Sequence, residues 1–195
     1  MVSLREIDLE GIGRPMVPSG ARAGAWGDGK GPGGAAWLVP AHREALGGLS
    51  RLTDLRVLSL AQAGPLVDDR VLELICAGCT ALEALDLNGT AVCCVVPLAG
   101  LVGLMDLGLA HTRVGDDSLE ALALAAVGGG LPKLASLTLR GTGVGSRGVA
   151  CLLGGVLPRL RLLNLVGTPA ASCSSEDLSS VETLQQGIAV VSIRR

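Results

Sequence analysis

Leucines recur along this chain as Leu-x-x-Leu-x-Leu hexads that open at Leu55, Leu82, Leu104, Leu134 and Leu160, and the same phase continues at Ile188-x-x-Val191-x-Ile193. The hexads start 27, 22, 30, 26 and 28 residues apart. At such a period one strand and one return segment can stack on a copy of themselves. Successive side chains of a strand alternate faces, so Leu85 and Leu87 point inward while Ala84, Asp86 and Asn88 point to the opposite, solvated side. One strand with a single apolar edge cannot bury it alone, and each hexad is stable only between two others. The pattern predicts a curved solenoid with short parallel strands at 84–87, 106–109, 136–139 and 162–165, their leucines forming one continuous core.

The segments between the hexads alternate differently. Asp68-Asp-Arg-Val71-Leu72-Glu-Leu74-Ile75 and Asp116-Asp117-Ser-Leu119-Glu120-Ala-Leu122 place apolar residues at i, i+3 and i+4, which predicts helices. Aspartate suits their N-termini, Asp117 with Glu120 approximates a capping box, and Ser174-x-x-Asp177 resembles another. A weaker helix is expected over 147–153, where Gly148, Gly154 and Gly155 each cost about 1 kcal/mol of helix relative to Ala. The short copy that opens at Leu82 holds Pro97 after Val95-Val96, which predicts an extended or single-turn return. Four turns carry a threonine at one place, Thr90, Thr112, Thr142 and Thr168. A buried bend leaves backbone groups to be paired, and a short hydroxyl there can bond them.

The stretch Leu82-Glu-Ala-Leu85-Asp-Leu87-Asn-Gly-Thr90-Ala-Val92, with its cognates at 104, 134 and 160, resembles the leucine-rich-repeat superfamily over most of the chain. The longer copies resemble its ribonuclease-inhibitor-like and cysteine-containing classes, with Thr standing where Asn or Cys is usual. The resemblance implies an α/β solenoid, with short parallel strands on the concave side and helices or extended segments on the convex side.

Three stretches divide the chain. Leu4-x-x-Ile7-x-Leu9 fits the hexad, so residues 1–12 are expected to form a degenerate first repeat. Residues 13–40 are Gly- and Pro-rich without apolar periodicity over most of their length and are expected to be a loop or a degenerate repeat, with a poor strand at 35–40. The array proper occupies 41–195 and opens with a short helix at 41–49. A hexad this near each end favours end-to-end association or membership of a longer protein.

Composition narrows the possible functions. Trp26 and Trp37 are the only aromatics among 195 residues, and the formal net charge is −2, so no basic run accompanies stacking rings and nucleic acid is not expected as a partner. The N-terminus places charges where a signal peptide needs an apolar run. The run 87–105 has no charged residue and nearly the length of a membrane span, yet Asn88-Gly89-Thr90 and Pro97 interrupt it, and no membrane association is expected.

The six cysteines, Cys76, Cys79, Cys93, Cys94, Cys151 and Cys173, include one C-x-x-C. That pair closes a helix, whereas a redox pair opens one, and the adjacent Cys93 and Cys94 do not converge readily on one ion. All six are expected to be buried apolar filler, with free thiols that imply a reducing, cytoplasmic setting. Gly24-Ala-Trp-Gly-Asp-Gly29-Lys30-Gly31 matches a phosphate loop until its last place, where glycine supplies no hydroxyl for magnesium. No metal or cofactor is expected.

An acid–base site would have to use His42 or His111, or the carboxylates of Asp86 and Asp106, which are expected to face one another on adjacent strands. An open wet surface seldom supports such chemistry, so no enzyme activity is expected. The function expected is a protein-interaction scaffold that binds a protein or peptide through Asp86, Asn88, Asp106, His111, Ser136, Thr138, Arg140 and Asn164, with Gly108 and Ala110 leaving a low strip between them. The resemblance implies two alternatives. One is the substrate-recognition subunit of a ubiquitin ligase; the other is a GTPase activator acting in trans through His111, Arg113 and Arg140.

Overall fold

In the computed structural model, residues 4–12, 46–127, 129–154, 157–172 and 189–191 are described. Seven strands, β1 (Glu6–Asp8), β2 (Val57–Ser59), β3 (Ala84–Asp86), β4 (Asp106–Gly108), β5 (Ser136–Thr138), β6 (Leu162–Asn164) and β7 (Ala189–Val191), form one parallel sheet in chain order. Each strand keeps only three residues in the ladder, one fewer than the hexads predict, yet the bonding runs on past it. Leu87 N–H still reaches the carbonyl of Gly108 at 2.9 Å. The middle residues Ile7, Leu58, Leu85, Leu107, Leu137 and Leu163 lie in one register row, as the hexads require.

The return segments are α1 (Asp69–Gly78), α2 (Asp116–Ala126), α3 (Ser146–Leu153) and the 3₁₀ turns Gly48–Arg51, Val96–Gly100 and Pro169–Ser172. Of the extended or single-turn return expected around Pro97, the short repeat makes the single turn, and the apolar faces of the helices join the inward leucines in one core. The uncharged run 87–105 is thereby divided among a turn, a 3₁₀ turn and a loop, and among the described residues no helix is long and apolar enough to cross a membrane.

The four threonines are buried, and each hydroxyl donates to the carbonyl three residues back: Leu87, Leu109, Leu139 and Leu165, at 2.7 to 2.8 Å. This is the pairing that the buried bend demands.

Three expectations are corrected. The last hexad is out by one residue, because Val190 and not Val191 lies opposite Leu163. The parallel backbone ladder with β6, and not the leucine-like spacing, sets the register there. Asp117 and Glu120 form no capping box. Gly115 is the N-cap of α2 without a side-chain bond, and both carboxylates face Arg147 of the next repeat instead. Cys93 and Cys94 are exposed and Cys151 is only partly buried, unlike Cys76 and Cys79, which are buried. By contrast Asp68 caps α1 as expected, accepting from Val71 N–H at 3.2 Å.

β1 pairs directly with β2, so the sheet holds no strand between them. Most of the segment that joins them lies outside the described residues. So do Trp26, Trp37, His42, Cys173, the phosphate-loop-like stretch 24–31, the expected strand at 35–40 and the Ser174–Asp177 pair.

Candidate functional site

Counting the first leucine of a hexad as position 1, positions 3 and 5 project to the face opposite the buried leucines, and position 7 follows in the turn. Register places Ala84, Asp106, Ser136 and Leu162 in one row, and Asp86, Gly108, Thr138 and Asn164 in the next. The turn continues the ladder: Gly89 N–H bonds the carbonyl of Ala110, His111 that of Arg140, and Gly141 that of Val166, at 2.7 to 2.9 Å. Asn88 and Arg140 therefore stand beside the rows, with His111 one place further. All eight residues expected from the sequence are on this open face or its turn edge.

Two details differ from expectation. Asp106 lies opposite Ala84, and Asp86 opposite Gly108, so the two carboxylates are diagonal and not facing. The low strip is also filled. A Cβ on Gly108 would meet Asp86 Oδ1 at 2.8 Å and Asn88 Nδ2 at 2.9 Å, so both side chains lie across the space that glycine leaves. Asp86 Oδ1 accepts from Asn88 N–H at 2.9 Å, and Asn164 Oδ1 from Val166 N–H at 3.1 Å. Asn88 Oδ1 accepts from Ala110 N–H at 2.5 Å and ties one turn to the next. Part of the polar chemistry of this face therefore orders the turns.

Sequence reasoning missed the residue between position 7 and the threonine. Gly11, Gln62, Gly89, His111, Gly141 and Gly167 all have positive φ, between 56° and 73°. Glycine enters this left-handed region freely, other residues at a cost. The two exceptions each lie on a glycine of the next repeat: a Cβ on Gly89 would meet Gln62 Nε2 at 2.6 Å, and one on Gly141 would meet His111 Nδ1 at 2.5 Å. The signal was present in the Gly-Thr pairs at 89–90, 141–142 and 167–168. His111 is consequently a ring laid on the turn of the next repeat.

A second polar recess of about 490 Å³ opens at the start of α2, between Cys93, Arg113, Asp116, Asp117, Ser118 and Arg147. Arg113 lines this recess, and Arg140 does not. Here first-turn aspartates bind the next repeat: Asp69 Oδ1 accepts from Cys93 N–H at 2.7 Å and Cys94 N–H at 2.9 Å, and Asp116 Oδ1 from Gly145 N–H at 2.6 Å. Cys93 Sγ–H donates to Asp69 Oδ2 at 2.8 Å. That bond, with slight burial, raises the thiol's pKa, and although burial alone would raise Asp69, its three donors hold it below the usual carboxylate range. Burial, reinforced by Cys79, pushes the Cys76 thiol up to about 12. The Cys79 thiol, its pKa raised by burial, donates a hydrogen bond to the Leu49 carbonyl at 3.1 Å.

The backbone resembles the crystal structure of internalin C2 from Listeria monocytogenes, with a TM-score of 0.50 and 21% identity over 74% of this chain. The fold is a leucine-rich-repeat solenoid. The aligned part covers 64% of that internalin chain. No protein-family model and no curated protein matches the sequence.

Proposed function

We propose that this chain is a non-enzymatic interaction scaffold whose open, concave sheet face receives a protein or peptide segment. One observation carries this reading. Outward side chains of successive strands stand in register on a face that none of the described helices covers, while the return segments share the core on the other side. The likeness to an internalin of the same fold is consistent with it. The helices α1 to α3 support a place near the ribonuclease-inhibitor-like and cysteine-containing classes. A reducing cytoplasmic setting is supported by Cys79 and Cys93, whose thiol protons serve as hydrogen-bond donors.

The test is comparative capture by proximity labelling. We expect the D86K/D106K variant to lose the partners of the parent chain and the E73K/E120K variant, changed on the helical side, to keep them. Loss from the helical-side variant alone would mean that the other face binds. Ubiquitin-ligase components among the captured proteins, or faster GTP hydrolysis by a small GTPase on adding the chain, would move the assignment to one of the alternatives.

A further inference from the structure

We propose that the segment received across β1 to β4 is basic, an extended lysine- or arginine-rich stretch of a partner protein; this rests on the concave-face reading above. At positions 3, 5 and 7 of these four repeats the chain places Glu6, Asp8, Glu10, Asp86 and Asp106, and no lysine or arginine. The remaining positions are Ala, Ser, Val, Asn or Gly. The first cation in these columns is Arg140, one strand further on. Arg5 and Arg56 stand at position 2, outside the columns, and Arg56 is paired with Glu83 at 2.6 Å.

Parallel strands lie about 4.8 Å apart, so these carboxylates share one surface without a counter-charge inside the columns. Each exposed pair with a partner cation is worth little alone, but the summed field of one sign steers association and rejects an acidic partner. The relief of the surface fits the same class of ligand. Asp86 and Asn88 fill the space at Gly108, but Val57 and Ser59 of β2, between the carboxylates of β1 and β3, are short enough for a long apolar stem to lie across them, and an arginine fork can take a carboxylate through two bonds. Asp86 keeps one oxygen on Asn88 N–H, which holds its carboxylate in place over Gly108.

Binding is measured with the parent chain and three synthetic peptides of equal length: one rich in lysine and arginine, its Asp/Glu counterpart, and its Ser/Gly counterpart. We expect the basic peptide to bind and to lose about tenfold in affinity when salt rises from about 50 to about 300 mM. In the D86N/D106N variant the affinity should fall about tenfold, while E73Q/E120Q leaves it unchanged. Asp86→Asn retains an oxygen for Asn88 N–H, and an unchanged amide spectrum elsewhere shows that the fold survives. Amide shifts induced by the basic peptide should fall on β1 to β4. Equal binding of the Ser/Gly or Asp/Glu peptide at that face would overturn the basic partner and leave the concave reading standing. Binding of the basic peptide with shifts on the helical side, lost in E73Q/E120Q, would overturn both.

Discussion

A left-handed residue follows position 7 in each of the six repeats whose turn is described, and where it carries a side chain, at Gln62 and His111, that side chain lies on the glycine of the next turn. His111 can occupy that conformation only because Gly141, at φ 65°, offers no Cβ beneath the ring. Gly141→Ala should therefore cost about 2 to 3 kcal/mol, combining the left-handed penalty with the collision. In a His111→Gly background the same change should cost about 1 to 2 kcal/mol, because only the backbone term is left. A double-mutant cycle in urea checks this, and strict additivity of the two changes would show that ring and glycine do not meet. Thr142→Val removes a hydroxyl donor from the Leu139 carbonyl, but Thr142 N–H still reaches that oxygen at 3.2 Å. Its cost should stay at about 0.5 to 1.5 kcal/mol, and a loss of several times that would mean that the hydroxyl pairs something further.

Helices pack here through contacts that propensity alone misjudges. Gly148 lowers the helix tendency of α3, and alanine there would favour the isolated helix by about 1 kcal/mol. Yet a Cβ on Gly148 would meet the Asp116 Cα of α2 at 3.0 Å and its Oδ1 at 2.6 Å. Packing wins, so Gly148→Ala should lower the melting temperature; a rise would show that α2 and α3 can move apart freely. At α1, Asp69→Asn keeps an oxygen for the Cys93 and Cys94 amides but removes the charge that holds the Cys93 proton. Iodoacetamide should then modify Cys93 faster than in the parent chain, as read by mass spectrometry, and an unchanged rate would refute the thiol–carboxylate bond. The buried thiols also set an alkaline limit. Cys76 binds its proton more tightly folded than unfolded, so its contribution is complete below the ordinary value of 9.0 and is lost as pH rises from there toward about 12. A denaturation midpoint that held constant across that window would contradict its burial.

For the molecule as a whole, stability passes between neighbours. Leu137 is buried and lies between Leu107 and Leu163 in the register row, so Leu137→Ala should cost about 2 to 5 kcal/mol through the cavity it leaves. Faster amide exchange should centre on β4, β5 and β6 and fade toward β2, because each repeat touches only those beside it. Uniform acceleration along the array would indicate a single cooperative unit instead.

Repeat spacing and local pattern determined the solenoid, the inward leucines and the threonine turns, because each repeat is specified by residues close in sequence and copied in phase, while at Pro97 they left an extended or a single-turn return open. Legibility ended where one repeat meets another. The diagonal placement of Asp86 and Asp106, the filling of the Gly108 strip, the ring of His111 on Gly141 and the bonds of Asp69 and Asp116 to the following repeat join residues about 20 to 30 positions apart, and no local pattern encodes which atoms meet there. The slip at Val190 has the same origin, since periodicity proposes a register and the backbone ladder with β6 chooses it. Asp86, Asp106, Ser136, Thr138 and Asn164, the expected open-face residues that lie in strands, were readable because alternation is a property of the strand itself. That the Asn88 side-chain oxygen ties one turn to the next was decided only when the strands were laid side by side.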